Sequence, residues 1–254
     1  MNNMDGQNIY KTIKETFEVI KPDGKVIRGI IFRPDFEGGI FPAVIFSHGF
    51  GGNYRELQHH GPGYAEAGIV CVLFDFCGGG MGSVSDGYMQ DMTVLTEAED
   101  LENVLKTVRK FSYVDETAVY LQGESQGGLV SAIVGSRREA DTKGLILWYP
   151  AFVIPDDAKK RNENGETAVF GVELSPDYDK AAMTIDIEEI QRSYNKPVLL
   201  IHGDKDDLVP ISYSRNALST YRHARLEEIK GAGHGFDGDD SKRAGRLSVE
   251  FMII

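Results

Sequence analysis

A serine set among glycines is the first feature of this sequence that could support chemistry. In YLQGESQGGLV (residues 120–130), Ser125 lies where an apolar run ends and a helical pattern begins. A tight strand-to-helix turn presents such a serine as a nucleophile, and small residues must flank it. Gly123 and Gly127 occupy those flanking positions. A plain glycine-rich helix start is the alternative, but the strand before the motif and the helix after it favour a nucleophile.

A serine nucleophile needs a base and a group that orients that base. In hydrolases built on this turn, the chain order is serine, acid, histidine, and both partners follow late strands. KPVLLIHGDKDDLVP places Asp204, Asp206 and Asp207 just past one predicted strand, and GAGHGF places His234 after the next. His234 is therefore the predicted base. The spacing does not decide among the three aspartates, because each could instead begin the turn or cap the following helix.

Backbone N–H groups must also face the negative charge that develops on an attacked carbonyl. One donor is the residue after the nucleophile, Gln126, and the other comes from a loop after an earlier strand. SHGFGGN (residues 47–53) ends such a strand with small residues, and it makes Phe50 the predicted second donor. The alternative for this run is a plain glycine-rich turn.

The apolar segments around these residues predict a mostly parallel sheet. Residues 12–33 form a predicted hairpin around KPDGK, where Pro-Asp-Gly supplies the turn chemistry. Five later runs are nearly continuous in Val, Ile and Leu, which is typical of parallel strands buried on both faces. These runs are PAVIFSHG (42–49), GIVCVLFDF (68–76), TAVYLQGES (117–125), KGLILWYP (143–150) and KPVLLIHGD (196–204).

Helical patterns fall between the predicted strands. Residues 93–110 carry apolar side chains on one stripe, whereas the pattern over 54–67 is interrupted by Gly61-Pro62-Gly63. Further helices are predicted at 126–139, 211–221 and 239–252. Strands that alternate with helices indicate an α/β fold, with helices flanking the central sheet.

Residues 150–196 break this alternation, because they are polar and then loosely amphipathic between two core strands. A segment this long inside a compact domain is usually functional or a small subdomain. The sequence therefore predicts one domain over residues 1–254, with residues 150–196 inserted as a lid over the active site. We call this segment the insertion.

Composition limits the partners. A formal charge of −12 argues against nucleic acid or an anionic membrane surface, since both repel an acidic chain. No apolar run is long enough to span a membrane, and the N-terminus lacks the apolar stretch of a signal peptide. Cys71 and Cys77 form no disulfide framework, which favours a cytoplasmic location. A small molecule is the expected partner, and the sequence is compatible with a homodimer.

With these residues in place, the sequence resembles the α/β-hydrolase family over nearly its whole length. The matching motifs are HGFGG, DFCGGGMGSVSDG, GESQGG, HGDKDDLVP and GAGHGF. Within that family the chain looks most like the small bacterial cinnamoyl or feruloyl esterases. The resemblance implies an α/β-hydrolase fold and, through the family pattern HGxxDxxVP, identifies Asp206 as the acid of the triad. Cys77-Gly-Gly-Gly-Met81 and Glu124 depart from the usual motifs and leave substrate preference open.

The resemblance also implies a serine esterase that cleaves hydroxycinnamoyl esters through an acyl-enzyme. Lids of those esterases bind the phenolic end of the acyl group, and the matching polar positions here are Asp157 and Tyr178. No cofactor is expected, and no Cys/His spacing predicts a metal site. The alternatives are a prolyl-oligopeptidase-like peptidase, a general short-acyl esterase or thioesterase, and a non-catalytic binding protein. A peptidase of the prolyl-oligopeptidase type also carries an N-terminal propeller, for which 254 residues leave no room. The presence of Ser, Asp and His in the expected order argues against a non-catalytic binding protein.

Overall fold

The computed structural model of the protein describes residues 9–253. Residues 1–8 lie outside this range, and they include most of the N-terminal stretch in which no signal peptide is predicted. Within the described range, no helix has the length and apolar character needed to cross a lipid bilayer.

Strands of the described residues form one large sheet and one small hairpin. In chain order they are β1 (Thr12–Ile20), β2 (Val26–Pro34), β3 (Phe41–Ser47), β4 (Val70–Phe74), β5 (Val114–Glu124), β6 (Gly144–Trp148), β7 (Ala168–Val169), β8 (Val172–Glu173), β9 (Val198–Gly203) and β10 (Ala224–Ile229). The large sheet has the order β1-β2-β4-β3-β5-β6-β9-β10, and β7 pairs only with β8.

Strand directions confirm the predicted mostly parallel sheet. β1 pairs antiparallel with β2, as the hairpin prediction requires, and β2 pairs antiparallel with β4. All other neighbours in the large sheet, from β4 through β10, run parallel. The carboxyl ends of these parallel strands therefore meet at one edge, where ligands of α/β proteins bind.

Helices cover both faces of the sheet. They are α1 (Tyr54–Leu57), α2 (Gly61–Glu66), α3 (Val94–Val108), α4 (Ser125–Arg137), α5 (Ile154–Asn164), α6 (Pro176–Met183), α7 (Ile187–Ser193), α8 (Ser212–Thr220) and α9 (Gly238–Ile253). Buried side chains of α3, α4 and α8 pack on one face, and those of α1, α2 and α9 pack on the other. Along β4, Val72 belongs to the first core and Leu73 to the second, so the continuous apolar runs are buried from both sides.

The helix predicted over residues 54–67 is wrong in one detail. Gly61-Pro62-Gly63 does not interrupt a long helix but begins a new one, α2, which has proline in its first turn. Proline is favoured there because its missing N–H has no partner within the helix in any case. A short 3₁₀ turn, Gln58–His60, joins α1 to α2.

The insertion is regularly folded. It contains α5, the β7–β8 hairpin, α6 and α7, all between β6 and β9. Arg161 on α5 pairs with Asp179 on α6 at 2.7 Å between Nη2 and Oδ1, and both side chains are largely buried. The Ser175 N–H donates to the carbonyl of Gln90 at 3.1 Å, which attaches the insertion to the main domain.

Candidate active site

Ser125 lies at the junction of β5 and α4 with a strained backbone. Its φ of 50° is in the left-handed region, which non-glycine residues rarely adopt. Residues with such strained backbones cluster at functional sites. The turn also leaves no space for a side chain at the two positions that flank the serine. A Cβ on Gly123 would lie 2.1 Å from the Gly127 carbonyl oxygen, and one on Gly127 would lie 2.4 Å from that of His48. Both flanking glycines are therefore required by close backbone packing.

Ser125, His234 and Asp206 are brought together at the carboxyl edge of the sheet. The Ser125 hydroxyl lies 3.0 Å from His234 Nε2, and His234 Nδ1 lies 2.8 Å from Asp206 Oδ2. A carboxylate only accepts, so Nδ1 carries the proton and Nε2 is free to accept from the serine. Asp204, by contrast, accepts from the Gly231 N–H, and Asp207 is exposed to solvent.

Asp206 is held by more partners than the sequence indicates. Its Oδ1 accepts the N–H groups of Leu208 and Val209 at 2.9 and 2.8 Å, and its Oδ2 also lies 3.1 Å from His202 Nε2. Burial alone would raise the pKa of Asp206, but the hydrogen bonds from His202, His234 and Val209 hold that pKa well below its ordinary value. Asp206 is therefore a stable anion beside His234.

His202, in β9, is a neighbour of Asp206 that the sequence did not single out. Its Nε2 also lies 3.0 Å from the Val209 carbonyl, and its Nδ1 lies 2.7 Å from the Ser214 hydroxyl. A carbonyl can only accept, so Nε2 carries the proton and Nδ1 accepts from Ser214. The motif HGxxD, with its histidine four residues before the acid, is the signal that could have identified it.

Phe50 and Gln126, the two predicted oxyanion donors, line the same cavity as Ser125. Gln126 is the second residue of α4, where backbone N–H groups have no partner within the helix. Phe50 follows β3 in a loop that is fixed by the Gly51 N–H, which donates to the Gly79 carbonyl at 3.1 Å. A Cβ on Gly80 would lie 2.0 Å from the Gly52 carbonyl oxygen, so the glycine-rich run after β4 packs directly on this loop.

Glu124, the unusual residue before the serine, also supports the loop after β3. Its carboxylate accepts the Tyr149 hydroxyl at 2.5 Å and the Gly49 N–H at 3.4 Å, and burial raises its pKa. Tyr149 has a φ of 34°, and its ring meets that of His234 edge-on at 4.8 Å between centroids. Glu124 and Tyr149 therefore connect His234 to the loop after β3.

Two cavities open at Ser125. The smaller holds about 50 Å³ and is lined partly by the insertion, through Asp157, Arg161, Val169, Phe170 and Tyr178. The larger is a cleft of about 460 Å³ whose lining includes His234, Gly235, Glu56 and Glu124. Phe50 and Phe170 line both. We call them the small cavity and the large cleft.

Asp157 and Tyr178, the two positions matched in the insertion, both line the small cavity. Asp157 is half-buried and pairs with Lys160 at 3.3 Å. Tyr178 is buried, and its hydroxyl donates to Gln126 Oε1 at 2.6 Å. Among residues 9–253, no group of three or more His, Cys, Asp and Glu side chains could hold a metal ion.

Comparison with known proteins agrees with this architecture. The structure of Est1E from Butyrivibrio proteoclasticus with ferulic acid bound superposes with a TM-score of 0.84 and 28% identity, covering 92% of this chain and 97% of that one. A second Est1E structure gives 0.81 and 25% over 94% and 97%. An esterase from Exiguobacterium antarcticum, with a TM-score of 0.70 and 18% identity over 93% of this chain and 99% of that chain, shares the fold.

Sequence comparison finds a shorter match and a family. The non-reducing polyketide synthase Preu3 of Preussia isomera is 34% identical over an alignment of 85 positions, which covers 31% of this chain and only 3% of that protein. The family model described as serine aminopeptidase, S33, matches residues 40–172, which include Phe50, Ser125 and Gln126 and are more than half of the chain. The fold, the strand-to-helix turn at Ser125 and this match lead to one conclusion: the chain belongs to the α/β-hydrolases, in the serine aminopeptidase S33 family.

Proposed function

We propose that the protein is a serine hydrolase of carboxylic esters that works through an acyl-enzyme on Ser125. The observation that carries the proposal is the chain of two short contacts, 3.0 Å from Ser125 Oγ to His234 Nε2 and 2.8 Å from His234 Nδ1 to Asp206 Oδ2. A base within hydrogen-bond reach of the nucleophile, itself oriented by a third group, is the arrangement that activates a serine.

In the proposed reaction, Ser125 Oγ attacks the ester carbonyl carbon while His234 Nε2 takes its proton. The N–H groups of Phe50 and Gln126 bind the tetrahedral oxyanion. The intermediate collapses when the bond from carbon to the alcohol oxygen breaks and the His234 Nε2 proton passes to that oxygen. Water then attacks the Ser125 ester, His234 again takes and returns a proton, and the free acid leaves. Asp206 stabilises the imidazolium in both halves.

The two cavities support an assignment of the two halves of the ester. His234 must reach the leaving oxygen, and it lines the large cleft but not the small cavity. The alcohol therefore occupies the large cleft, and the acyl group occupies the small cavity beneath the insertion. In this proposal the insertion acts as a lid, because Tyr178 and Phe170 cover the acyl side of Ser125.

We further propose that the acyl group is of the hydroxycinnamoyl type, with Asp157 as an acceptor for its phenolic hydroxyl. Two observations support this finer assignment. The Est1E structure with ferulic acid bound is similar to this chain over 92% of this chain's length, and Asp157 lines the small cavity. A peptidase is the second candidate, favoured by the family description serine aminopeptidase.

Two smaller proposals complete the assignment. Cys71 and Cys77 are buried free thiols, which supports a reducing, cytoplasmic location. The homodimer stays a proposal, which light scattering of the purified protein tests.

The test is hydrolysis of methyl ferulate, p-nitrophenyl acetate, p-nitrophenyl butyrate and alanine p-nitroanilide by the wild type and Ser125→Ala. We expect ester turnover that Ser125→Ala lowers by roughly 10⁴-fold or more. The control is Ser219→Ala, an exposed serine on α8, which should match the wild type. Turnover of short esters alone would overturn the hydroxycinnamoyl assignment. Turnover of the anilide alone would favour the peptidase, and full activity of Ser125→Ala would overturn the mechanism.

A further inference from the structure

The Tyr178 hydroxyl is committed to a protein partner. It donates to Gln126 Oε1 at 2.6 Å, and the Tyr178 residue is only 2% exposed. A phenol has one proton to donate, and a glutamine carbonyl oxygen can only accept. The hydroxyl that the resemblance assigns to substrate binding is therefore already engaged beside the nucleophile.

Gln126 is held at both ends of its amide. Its Oε1 accepts from Tyr178, and its Nε2 donates to Glu97 Oε2 at 2.8 Å. Glu97 and Gln126 are each 1% exposed, so bulk water cannot replace a lost partner. The residue whose backbone N–H is proposed to bind the oxyanion is thus fixed between α3, which carries Glu97, and α6 of the insertion.

The same tyrosine ring also supports the other proposed donor. The rings of Tyr178 and Phe50 meet edge-on, with 6.2 Å between their centroids. Tyr178 therefore contacts both residues whose backbone N–H groups would stabilise the transition state. The position of α6 in the insertion is coupled to the position of both donors.

We propose that Tyr178 is a positioning residue that aligns the oxyanion-binding N–H groups through the Gln126 side chain and the Phe50 ring. This inference rests on the proposed ester hydrolysis. It assigns Tyr178 a role in every turnover, whatever the acyl group. A tyrosine that bound the phenolic end of the substrate would matter only for acyl groups that carry a phenol.

The experiment uses Tyr178→Phe, which removes the hydroxyl and keeps the ring. Three esters are compared: methyl ferulate, methyl 3-methoxycinnamate, which lacks the phenolic hydroxyl, and p-nitrophenyl acetate. We expect kcat to fall by about tenfold on all three with KM nearly unchanged, less than the roughly 10²–10³ of a deleted oxyanion donor. Tyr88→Phe is the matched control, because Tyr88 is 75% exposed and should leave kcat unchanged.

A tetrahedral-adduct inhibitor provides a second readout. A trifluoromethyl ketone forms an oxyanion on Ser125, so Tyr178→Phe should weaken its binding by the same factor as kcat, while binding of the product ferulate stays constant. Gln126→Leu keeps the backbone N–H but loses both side-chain bonds. Adding Tyr178→Phe to it should lower kcat little further, because Gln126→Leu has already removed the bond to Tyr178.

The possible failures are distinct. A loss confined to methyl ferulate, or a raised KM with unchanged kcat, would identify Tyr178 as a substrate ligand and overturn the inference. Unchanged kinetics on all three esters would overturn it as well. A wild type that cleaves none of the esters would instead overturn the proposed function. Circular dichroism and thermal unfolding of each variant separate these results from a failure to fold.

Discussion

Asp206 is shared by two imidazoles. Both His234 Nδ1 and His202 Nε2 approach its Oδ2, at 2.8 and 3.1 Å. His202 also donates to the Val209 carbonyl, so its ring is held in one tautomer that presents an N–H to the acid. These contacts hold the carboxylate towards His234, so in the proposed reaction the His234 ring keeps one orientation throughout.

At the residue scale, we predict that Asp206→Asn lowers kcat by roughly 10⁴-fold on every ester that the wild type cleaves. An amide cannot fix the required tautomer of His234 or stabilise its cation. Asp207→Asn is the control, because Asp207 is exposed one residue away and should leave kcat unchanged. Steady-state kinetics of both variants measure the difference. Equal losses from the two substitutions would show that Asp206 has no special role.

At the scale of elements, the glycine-rich run after β4 supports the loop after β3. Gly51 forms a bridge with Gly80, and its N–H bonds to Gly79. These contacts leave no space for a side chain at Gly80, whose Cβ would also lie 2.6 Å from Gly51. The run from Cys77 to Met81, which departs from the usual family motif, therefore packs through its backbone against the loop that carries Phe50.

Gly80→Ala should consequently displace the Phe50 loop. We expect kcat to fall by about tenfold or more, towards the roughly 10²–10³ of a lost oxyanion donor. Overpacking should also lower the free energy of unfolding by about 1–3 kcal/mol. Gly63→Ala, in α2, is the matched control, since its Cβ would meet nothing within 4 Å. It should keep full activity and gain about 0.5 kcal/mol in the same denaturant titration. Normal kcat for Gly80→Ala would contradict the role of this contact.

The elements themselves were predictable because burial on both faces leaves a simple signature. Apolar runs such as VCVLF in β4 are fully buried only when helices cover both faces of the sheet. The order of serine, acid and histidine followed from the turns after those strands, whereas the choice of Asp206 among three aspartates came from the family resemblance. The contacts of Tyr178 with Gln126 were not predictable, because they join residues 52 positions apart through side-chain packing of the insertion. Periodicity carries no information on such pairs.

At the scale of the whole molecule, charge bears on the leaving group. The chain has a formal charge of −12, and the lining of the large cleft includes the exposed carboxylate of Glu56. None of the described residues that line this cleft is Lys or Arg. An anionic alcohol or thiol would therefore meet repulsion both on approach and when bound.

The test compares two esters of the same acid, one with an anionic alcohol and one with a neutral alcohol of equal size. We predict that kcat/KM is on the order of tenfold lower for the ester of the anionic alcohol. The difference should shrink in 1 M salt, which screens exposed charges. Glu56→Gln should reduce it, whereas Glu250→Gln, an exposed change on α9, should not. Equal rates for neutral and anionic esters at low salt would refute this charge selection. Thioesters of coenzyme A, which is strongly anionic, fall in the disfavoured class.

The size of the small cavity has a consequence for the order of events in turnover. About 50 Å³ is well below the roughly 300 Å³ of ordinary ligand sites, so the proposed placement of a bulky acyl group requires side chains of the insertion to withdraw. Tyr178 is one of them, and its withdrawal also releases Gln126. In the proposed reaction, the open enzyme admits the acyl group but holds the oxyanion donors poorly, and the closed enzyme holds them in place but admits no bulky acyl group. Substrate entry and bond cleavage are then expected at different times, in different positions of the insertion.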